Sequence, residues 1–292
     1  MAVPPRPSAP QPAAHSDASA TAVTAPGATK KRNRTRKDVT RDASLAAALI
    51  VAHNQARRIA ATVRAARAIP GVDLVLVVDD GSTDNTQDLA RKAGAVVVRH
   101  SHYRGRTVAM ETGASVIAMR DDPAREPRAV LMLQGSLGNY AIGAAPLVQA
   151  VTEHVADLAI ALTDTRRRSP GVAAKLARRA VEKTANWVPE QPLSRIRCMS
   201  REALEAAMPL ARGAGLEVGM TLDVLQAGLT VTEVDCEIRH KPHTGADRSA
   251  ASRATQYRDV MMAVSTRRVR AGLTSTRSAV GARLRRAPTE EN

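Results

Sequence analysis

Residues 73–98, DLVLVVDDGSTDNTQDLARKAGAVVV, decide the fold. The apolar run 74–78 reads as a strand buried on both faces and stops at two carboxylates, Asp79 and Asp80. A helix from about Asp84 to Lys92 follows, then a second apolar run at 95–98. Asp84 and Gln87 have the spacing of a capping box, and Gly94 sits where a helix stops. In an open α/β sheet, ligands bind beyond the C-terminal ends of the strands. A carboxylate there can accept from the ring N–H of a uracil or guanine base, or from ribose hydroxyls. The alternative is a turn aspartate that caps the following helix.

The same alternation extends on both sides. Residues 47–52 predict a strand, and Asn54 can cap a helix running to about Ala68, just ahead of Pro70. After the second run come a loop with Arg104, Gly105 and Arg106, then a helix from about Thr107. Buried strands follow at 129–133 and 157–161. Beyond residue 190 the alternation loosens: a strand near 196–199, helices near 201–208 and 216–227, a strand at 229–238, and a last helix over about 250–270. Strands alternating with helices predict an α/β fold with a mainly parallel sheet.

The core must be built without large rings, because the chain has no Phe, one Trp and three Tyr among its 292 residues. That scarcity counts against single-stranded nucleic-acid binding, which uses aromatic stacking platforms. The net charge of +15 is uneven. Residues 1–43 hold eight basic and three acidic side chains, and residues 265–292 hold seven arginines and two glutamates. Residues 1–43, rich in Pro, Ala, Ser and Thr, predict a disordered basic tail, and residues 271–292 a basic flexible one. Such tails suit an anionic surface, whether membrane lipid or nucleic acid, or are solvated arms without a partner. Cys198 and Cys236 lie in no pairing motif and fit a reducing cytosol. There is no signal-like apolar region and no run long enough to span a membrane. The expectation is a cytoplasmic protein, peripheral at most, at the inner face of the membrane.

Other nucleotide motifs are missing. No G-x-G-x-x-G follows a strand, and there is no P-loop, HExxH or CxxC. A phosphoryl-accepting receiver domain would put paired acids on its first strand and an aspartate at the end of a later one. Here an earlier strand precedes the acids, and AVLML runs into Gln134, Gly135 and Ser136. His100 and His102 alternate in a loop without metal-ligand spacing.

Three segments together resemble the N-terminal half of family 2 glycosyltransferases: LIVAHNQARRIAATV (49–63), LVLVVDDGSTDNT (74–86) and RGRTVAMETG (104–113). The family's usual forms are VVIPAYNEEERI, VVDDGSTDGT and NxGKGAALxxG. Residues 193–241 are similar to the C-terminal part of bacterial polyprenyl- or dolichol-phosphate-sugar synthase-like members, which carry an SGFRAxxRE element. The resemblance covers roughly 46–245 and implies a GT-A-like fold over 44–245; the C-terminal helix, at 246–270, lies outside it. It implies that Ala52, Asn54 and Gln55 line a base pocket and that Asp80, or its neighbour Asp79, contacts the base. Gly105 would let the backbone approach the ligand, and Arg106 stands where a lysine often faces the diphosphate. Arg197 matches the arginine of SGFRA. Glu217 and Asp223 lie where the family places acceptor-side acids, either of which suits a general base.

The chain departs from the family at the next strand. The usual LDADL, whose aspartates hold Mg²⁺ or Mn²⁺, reads Leu133-Gln134-Gly135-Ser136-Leu137. Hard cations want carboxylate oxygens, so no metal is expected at this degenerate motif. Arg104, Arg197, Arg239, His240 and Lys241 are candidate diphosphate contacts that can neutralise a departing diphosphate instead. His243 belongs to the same loop. The implied function is transfer of a hexose from a nucleotide-diphosphate sugar, with inversion, to a lipid phosphate such as a polyprenyl phosphate or to a small phosphorylated acceptor. The competing expectation is a catalytically inactive relative that binds a sugar nucleotide or serves as an assembly partner.

Overall fold

Seven strands form a mixed sheet in the order β3-β2-β1-β4-β6-β5-β7. The computed structural model describes residues 22–24, 45–163, 171–239 and 249–284, with residues 271–284 described by backbone alone. The strands are β1 (Ala46–Ala52), β2 (Val72–Asp79), β3 (Val96–Arg99), β4 (Ala129–Gln134), β5 (Leu158–Leu162), β6 (Arg197–Met199) and β7 (Val231–Asp235). β1 pairs in parallel with β2 and β4, β2 with β3, and β5 with β7. β6 alone runs antiparallel, wedged between β4 and β5.

Successive residues of a strand point to opposite faces, and both faces here are apolar. Leu49, Leu76, Val78, Met132 and Ile160 face one core; Ile50, Val77, Leu131 and Leu133 face the other. The first core is covered by α3 (Arg106–Ala118), α5 (Val172–Ala185), α7 (Leu216–Gln226) and α8 (Ala250–Leu284). The second is covered by α1 (Ile59–Arg67), α2 (Thr86–Lys92), a 3₁₀ segment (Gly138–Ala144) and α4 (Ala145–Thr152). A short α6 (Arg201–Ala206) follows β6. With few rings available, Ala, Val, Leu, Ile and Met fill the interior, and layers come close. A Cβ on Gly113 of α3 would lie 2.2 Å from Leu49 Cδ1.

Four local expectations are corrected. Asn54 does not cap a helix: its backbone is left-handed (φ 52°), and α1 starts only at Ile59. The Asp84–Gln87 capping box does not form either. Helix α2 starts at Thr86, and Asp84 instead accepts from the Thr86 and Ala56 backbone N–H groups. Helices α4 and α5 have no counterpart in the sequence reading, and α8 runs on past residue 270. Gly94, by contrast, takes the left-handed position after α2 (φ 96°) that ends a helix.

At the N-terminal edge of the sheet, an ion network clamps elements far apart in sequence. Arg128 donates through Nε and Nη2 to Asp73 at 2.8 and 2.7 Å, and through Nη1 to Asp121 at 3.1 Å. Arg201 reaches the other oxygen of Asp121 at 2.5 Å. The hydrogen bonds to Asp73 hold the Arg128 guanidinium above its ordinary range. Arg128→Ala should cost about 2 kcal/mol, an intermediate value between exposed and buried pairs. Thermal melts should then show a midpoint lower by about 4–8 °C.

Candidate nucleotide-sugar site

The C-terminal ends of β1 to β4 bring most of the sequence-nominated residues to one edge. The β1–α1 loop is laced to the β2–α2 loop by a row of hydrogen bonds. Asn54 N–H donates to Ser82 Oγ at 2.9 Å, and Asn54 Oδ1 accepts from Thr83 N–H at 2.9 Å. Gln55 N–H donates to Thr86 Oγ1 at 2.7 Å, Ala56 N–H to Asp84 Oδ2 at 3.1 Å, and Asp80 N–H to the Ala52 carbonyl at 2.8 Å. Much of the polar content of DDGSTD is therefore spent on loop architecture.

The two adjacent acids have different environments. Asp80 is buried, and its carboxylate is held by the loop after β3. Oδ1 accepts from Arg104 N–H at 2.9 Å and lies 2.8 Å from His100 Nδ1, while Oδ2 accepts from Gly105 N–H at 2.8 Å. His100, itself buried, meets Thr112 Oγ1 of α3 at 3.1 Å through its other nitrogen. Asp79 is also buried; its Oδ1 accepts from Ser82 N–H at 3.0 Å. Its Oδ2 has no hydrogen-bond partner and lies 3.7 Å from Arg99 Nε. Asp80 thus spends three of its roughly four acceptor positions within the protein, bracing the loop between β3 and α3.

What Asp80 holds in place is the start of α3. Gly105 has φ 91°, and a Cβ added there would meet nothing within 4 Å, so its backbone borders open space. Arg106 follows and forms an ion pair with Glu217 at the start of α7. Both groups are largely buried, and neither paired atom, Arg106 Nη1 or Glu217 Oε1, makes a well-oriented hydrogen bond. Neighbouring bonds dock the same two segments: Thr107 Oγ1 donates to the Ala211 carbonyl at 3.1 Å, and Leu210 N–H to Glu111 at 3.2 Å. Arg104 leaves its side chain exposed.

Sequence reasoning passed over three residues here. His100 anchors Asp80, as above. His53 Nδ1 lies 2.8 Å from the Asp80 carbonyl, and its ring packs against Tyr103 at 4.9 Å between centroids. Tyr103 is 62 % exposed. In a chain nearly free of rings, two aromatic groups on the loops bracketing Asp80 were a signal that composition alone offered.

Two nominations do not stand where the resemblance placed them. Arg197 is completely buried in β6. It donates to the carbonyls of Ser194, Glu217 and Pro192 and to Thr221 Oγ1, all within 2.9 Å. Burial pushes its guanidinium down to about 10, with Glu217 opposing and Arg106 adding to the shift; it stays charged at neutral pH, but it is wholly buried, with most of its N–H groups spent within the protein. Asp223 turns to the other side of α7, where Arg267 of α8 binds it at 2.8 Å, and burial pushes its carboxyl up. It is a helix-to-helix tie. Arg239 is exposed beyond β7, and His240, Lys241 and His243 lie outside the described residues.

The Gln134-Gly135-Ser136 segment closes onto β1. A Cβ on Gly135 would come 2.9 Å from Ala52 Cβ, the Gly135 carbonyl accepts from Thr62 Oγ1 at 2.9 Å, and the Ser136 carbonyl accepts from Arg58 at 3.1 Å. One amide and one hydroxyl remain, and no group of three or more His, Cys, Asp or Glu side chains among the described residues could hold a metal. The residues present do not fit a hard divalent cation.

Residues 47–117 match the model of the family described as Glycosyl transferase family 2. No curated protein sequence matches the chain. Among solved structures, glucosyl-3-phosphoglycerate synthase of Mycobacterium tuberculosis is similar at 21 % identity and a TM-score of 0.60, over 77 % of this chain and 80 % of that one. Its complex with Mn²⁺, uridine diphosphate and glucosyl-3-phosphoglycerate is similar at 24 % identity and a TM-score of 0.60, with the same coverage. A structure described as a mycobacterial protein is similar at 22 % identity and a TM-score of 0.58, over 77 % and 74 %. The chain has the GT-A-like fold, and residues 47–117, which build the C-terminal edge of β1 to β3, match the model of glycosyl transferase family 2.

Proposed function

We propose that the chain is a glycosyltransferase that takes a sugar from a uridine-diphosphate donor and passes it to a phosphorylated acceptor. The observation that carries this reading is the convergence of Asp80, Gly105 and Arg106 at the C-terminal sheet edge, inside the family 2 segment. Asp80 holds the β3–α3 loop so that the Gly105 backbone borders the cleft. The exposed Tyr103 ring, packed on His53, suits the face of a base. Arg106 is the cation poised for the diphosphate, and leaving Glu217 for it would free that carboxylate to accept a proton from an acceptor hydroxyl. With Gln134 and Ser136 in place of carboxylates, charge neutralisation falls to arginine. The complexes of the similar synthase with uridine diphosphate and phosphoglyceric acid support the donor and acceptor classes. A polyprenyl phosphate would instead take the sugar on its phosphate oxygen, already an anionic nucleophile, and would need no base. α8 supports a cytoplasmic protein touching an anionic membrane: it exposes Tyr257, Met261, Met262 and Val269 among arginines. Among the described residues, no helix is long and apolar enough to cross a membrane.

Gln134 and Ser136 also favour a second reading, a non-catalytic sugar-nucleotide binder or assembly partner. Calorimetric titration of UDP-glucose and GDP-mannose, with Mn²⁺ and with EDTA, separates the two when joined to a turnover assay. Turnover would be followed as UDP release with 3-phosphoglycerate or with polyprenyl phosphate in vesicles; inversion is read from the anomeric proton coupling of the product. Metal-independent binding with turnover supports the transferase, and binding without turnover supports the binder. No binding under either condition sinks the transferase and the binder and leaves the assembly partner. The double variant Gln134→Asp, Ser136→Asp should gain about tenfold in donor affinity on adding Mn²⁺, or roughly 1.4 kcal/mol.

A further inference from the structure

Glu217, the acid that meets Arg106, stands on a part of α7 that α8 grips on both sides. Before it, a 3₁₀ turn at Gly213–Gly215 leads into the helix, and Asp259 of α8 accepts there from the Ala214 N–H through Oδ2 at 3.2 Å. After it, Arg267 of α8, itself buried, donates through Nε to the Gly219 carbonyl at 3.1 Å and to Asp223 Oδ2 at 2.8 Å. Asp259 and Arg267 are about two turns apart and so share one face of α8. Val260, Ala263 and Val264 fill that face between them and are buried.

Glycines at the start of α7 let α8 come this near. A Cβ on Gly215 would lie 2.6 Å from the Asp259 carbonyl oxygen and 2.7 Å from Ala263 Cβ, and one on Gly219 2.9 Å from Arg267 Cζ. Leu216, Glu217 and Val218 in between are all buried. Arg197 fixes the Glu217 backbone from a third direction, its Nη1 donating to that carbonyl at 2.8 Å. The two α8 contacts leave the Glu217 carboxylate itself alone. They fix the turn of helix that aims it at Arg106.

We propose that Asp259 and Arg267 are positioning residues for Glu217, so that α8, which lies beyond the family 2 segment, sets where that carboxylate stands against Arg106. What Glu217 does with an acceptor hydroxyl rests on the transferase reading; where it is held does not. A displacement of about 1 Å can cost a reaction about a hundredfold in rate. A clamp on both sides of Glu217 removes that freedom.

Two measurements on the full chain test this. The Arg106 Nε–H resonance, assigned by its loss in Arg106→Lys, reports the pair with Glu217 whether or not the protein turns over. Its exchange with water should be at least about fivefold faster in Asp259→Ala, as local opening demands. Asp259→Asn should return it close to the wild type, because the amide oxygen can still accept from the Ala214 N–H. In turnover of UDP-glucose with 3-phosphoglycerate, Asp259→Ala should lower kcat at least about tenfold with the KM for UDP-glucose within about threefold. Asp259→Asn should again recover most of the loss. Arg267→Lys is the second variant: its ammonium stays beside Asp223 but cannot also serve the Gly219 carbonyl. It should show the same pattern, with circular dichroism verifying the fold of each variant. An Arg106 signal unchanged in both Asp259→Ala and Arg267→Lys would overturn the proposal, as would a KM that rises while kcat holds. A wild type that releases no UDP, but whose Arg106 signal responds as expected, would uphold the clamp and count against the transferase reading instead.

Discussion

Arg197→Met should be among the most destabilising single changes available in this protein. The side chain is fully buried, and its guanidinium satisfies three backbone carbonyls and the Thr221 hydroxyl. Methionine fills similar volume but donates nothing, so several buried acceptors lose their partner at about 1–3 kcal/mol each. Part of that is offset, because a buried cation is itself costly and its removal recovers desolvation. The net expectation is a loss of about 3–5 kcal/mol, read as a melting midpoint lower by about 10–15 °C. Arg197→Lys should recover less than half, since one ammonium cannot reach acceptors spread around a planar fork. A near-unchanged midpoint with weakened donor binding would instead return Arg197 to the diphosphate role implied by SGFRA.

Asp80→Ala should abolish donor binding while leaving the fold standing. The change strands the Arg104 and Gly105 N–H groups and one nitrogen of His100. Two unpaired backbone donors and a released imidazole cost on the order of 3 kcal/mol, and the loop that starts α3 loses its anchor. Affinity for UDP-glucose should fall at least about a hundredfold, or roughly 2.7 kcal/mol. The neighbouring Asp79→Asn should behave differently. Its Oδ1 counterpart can still accept from Ser82 N–H, so melting and calorimetry should register a change within about 1 kcal/mol. Equal losses at the two positions would refute the division of labour between adjacent acids.

The strand-to-acid transition at 74–80 was legible because burial on both faces demands an unbroken apolar run, whatever the partners are. Helices α2 and α3 were legible through Gly94 and the loop at 104–106. α4 was not, because it follows a 3₁₀ segment, GNYAIGA, with no capping side chain to mark a start. α5 was hidden for a similar reason, since Gly171 at its N-cap offers no side-chain bond. Asn54 misled because the residue type that caps helices also tolerates left-handed backbone, and here it uses its side chain across to Thr83. Nothing local distinguishes those two uses.

The C-terminal residues show the limit more sharply. Glu217 and Asp223 lie six positions apart on α7, far enough around the helix to face different neighbours. One meets Arg106 and the other Arg267. Local sequence by itself determined the layered α/β architecture and which polar residues, Asp79, Asp80, Gln134 and Ser136, stand at the C-terminal ends of the strands. Those follow from periodicity and residue chemistry, which are local. Only the tertiary structure decided which of Asp79 and Asp80 anchors the α3 loop, that Arg197 is an internal brace, and that Arg106 is paired with Glu217. Each of those depends on which distant segment arrives beside a side chain, and in a strand neighbouring residues point to opposite faces.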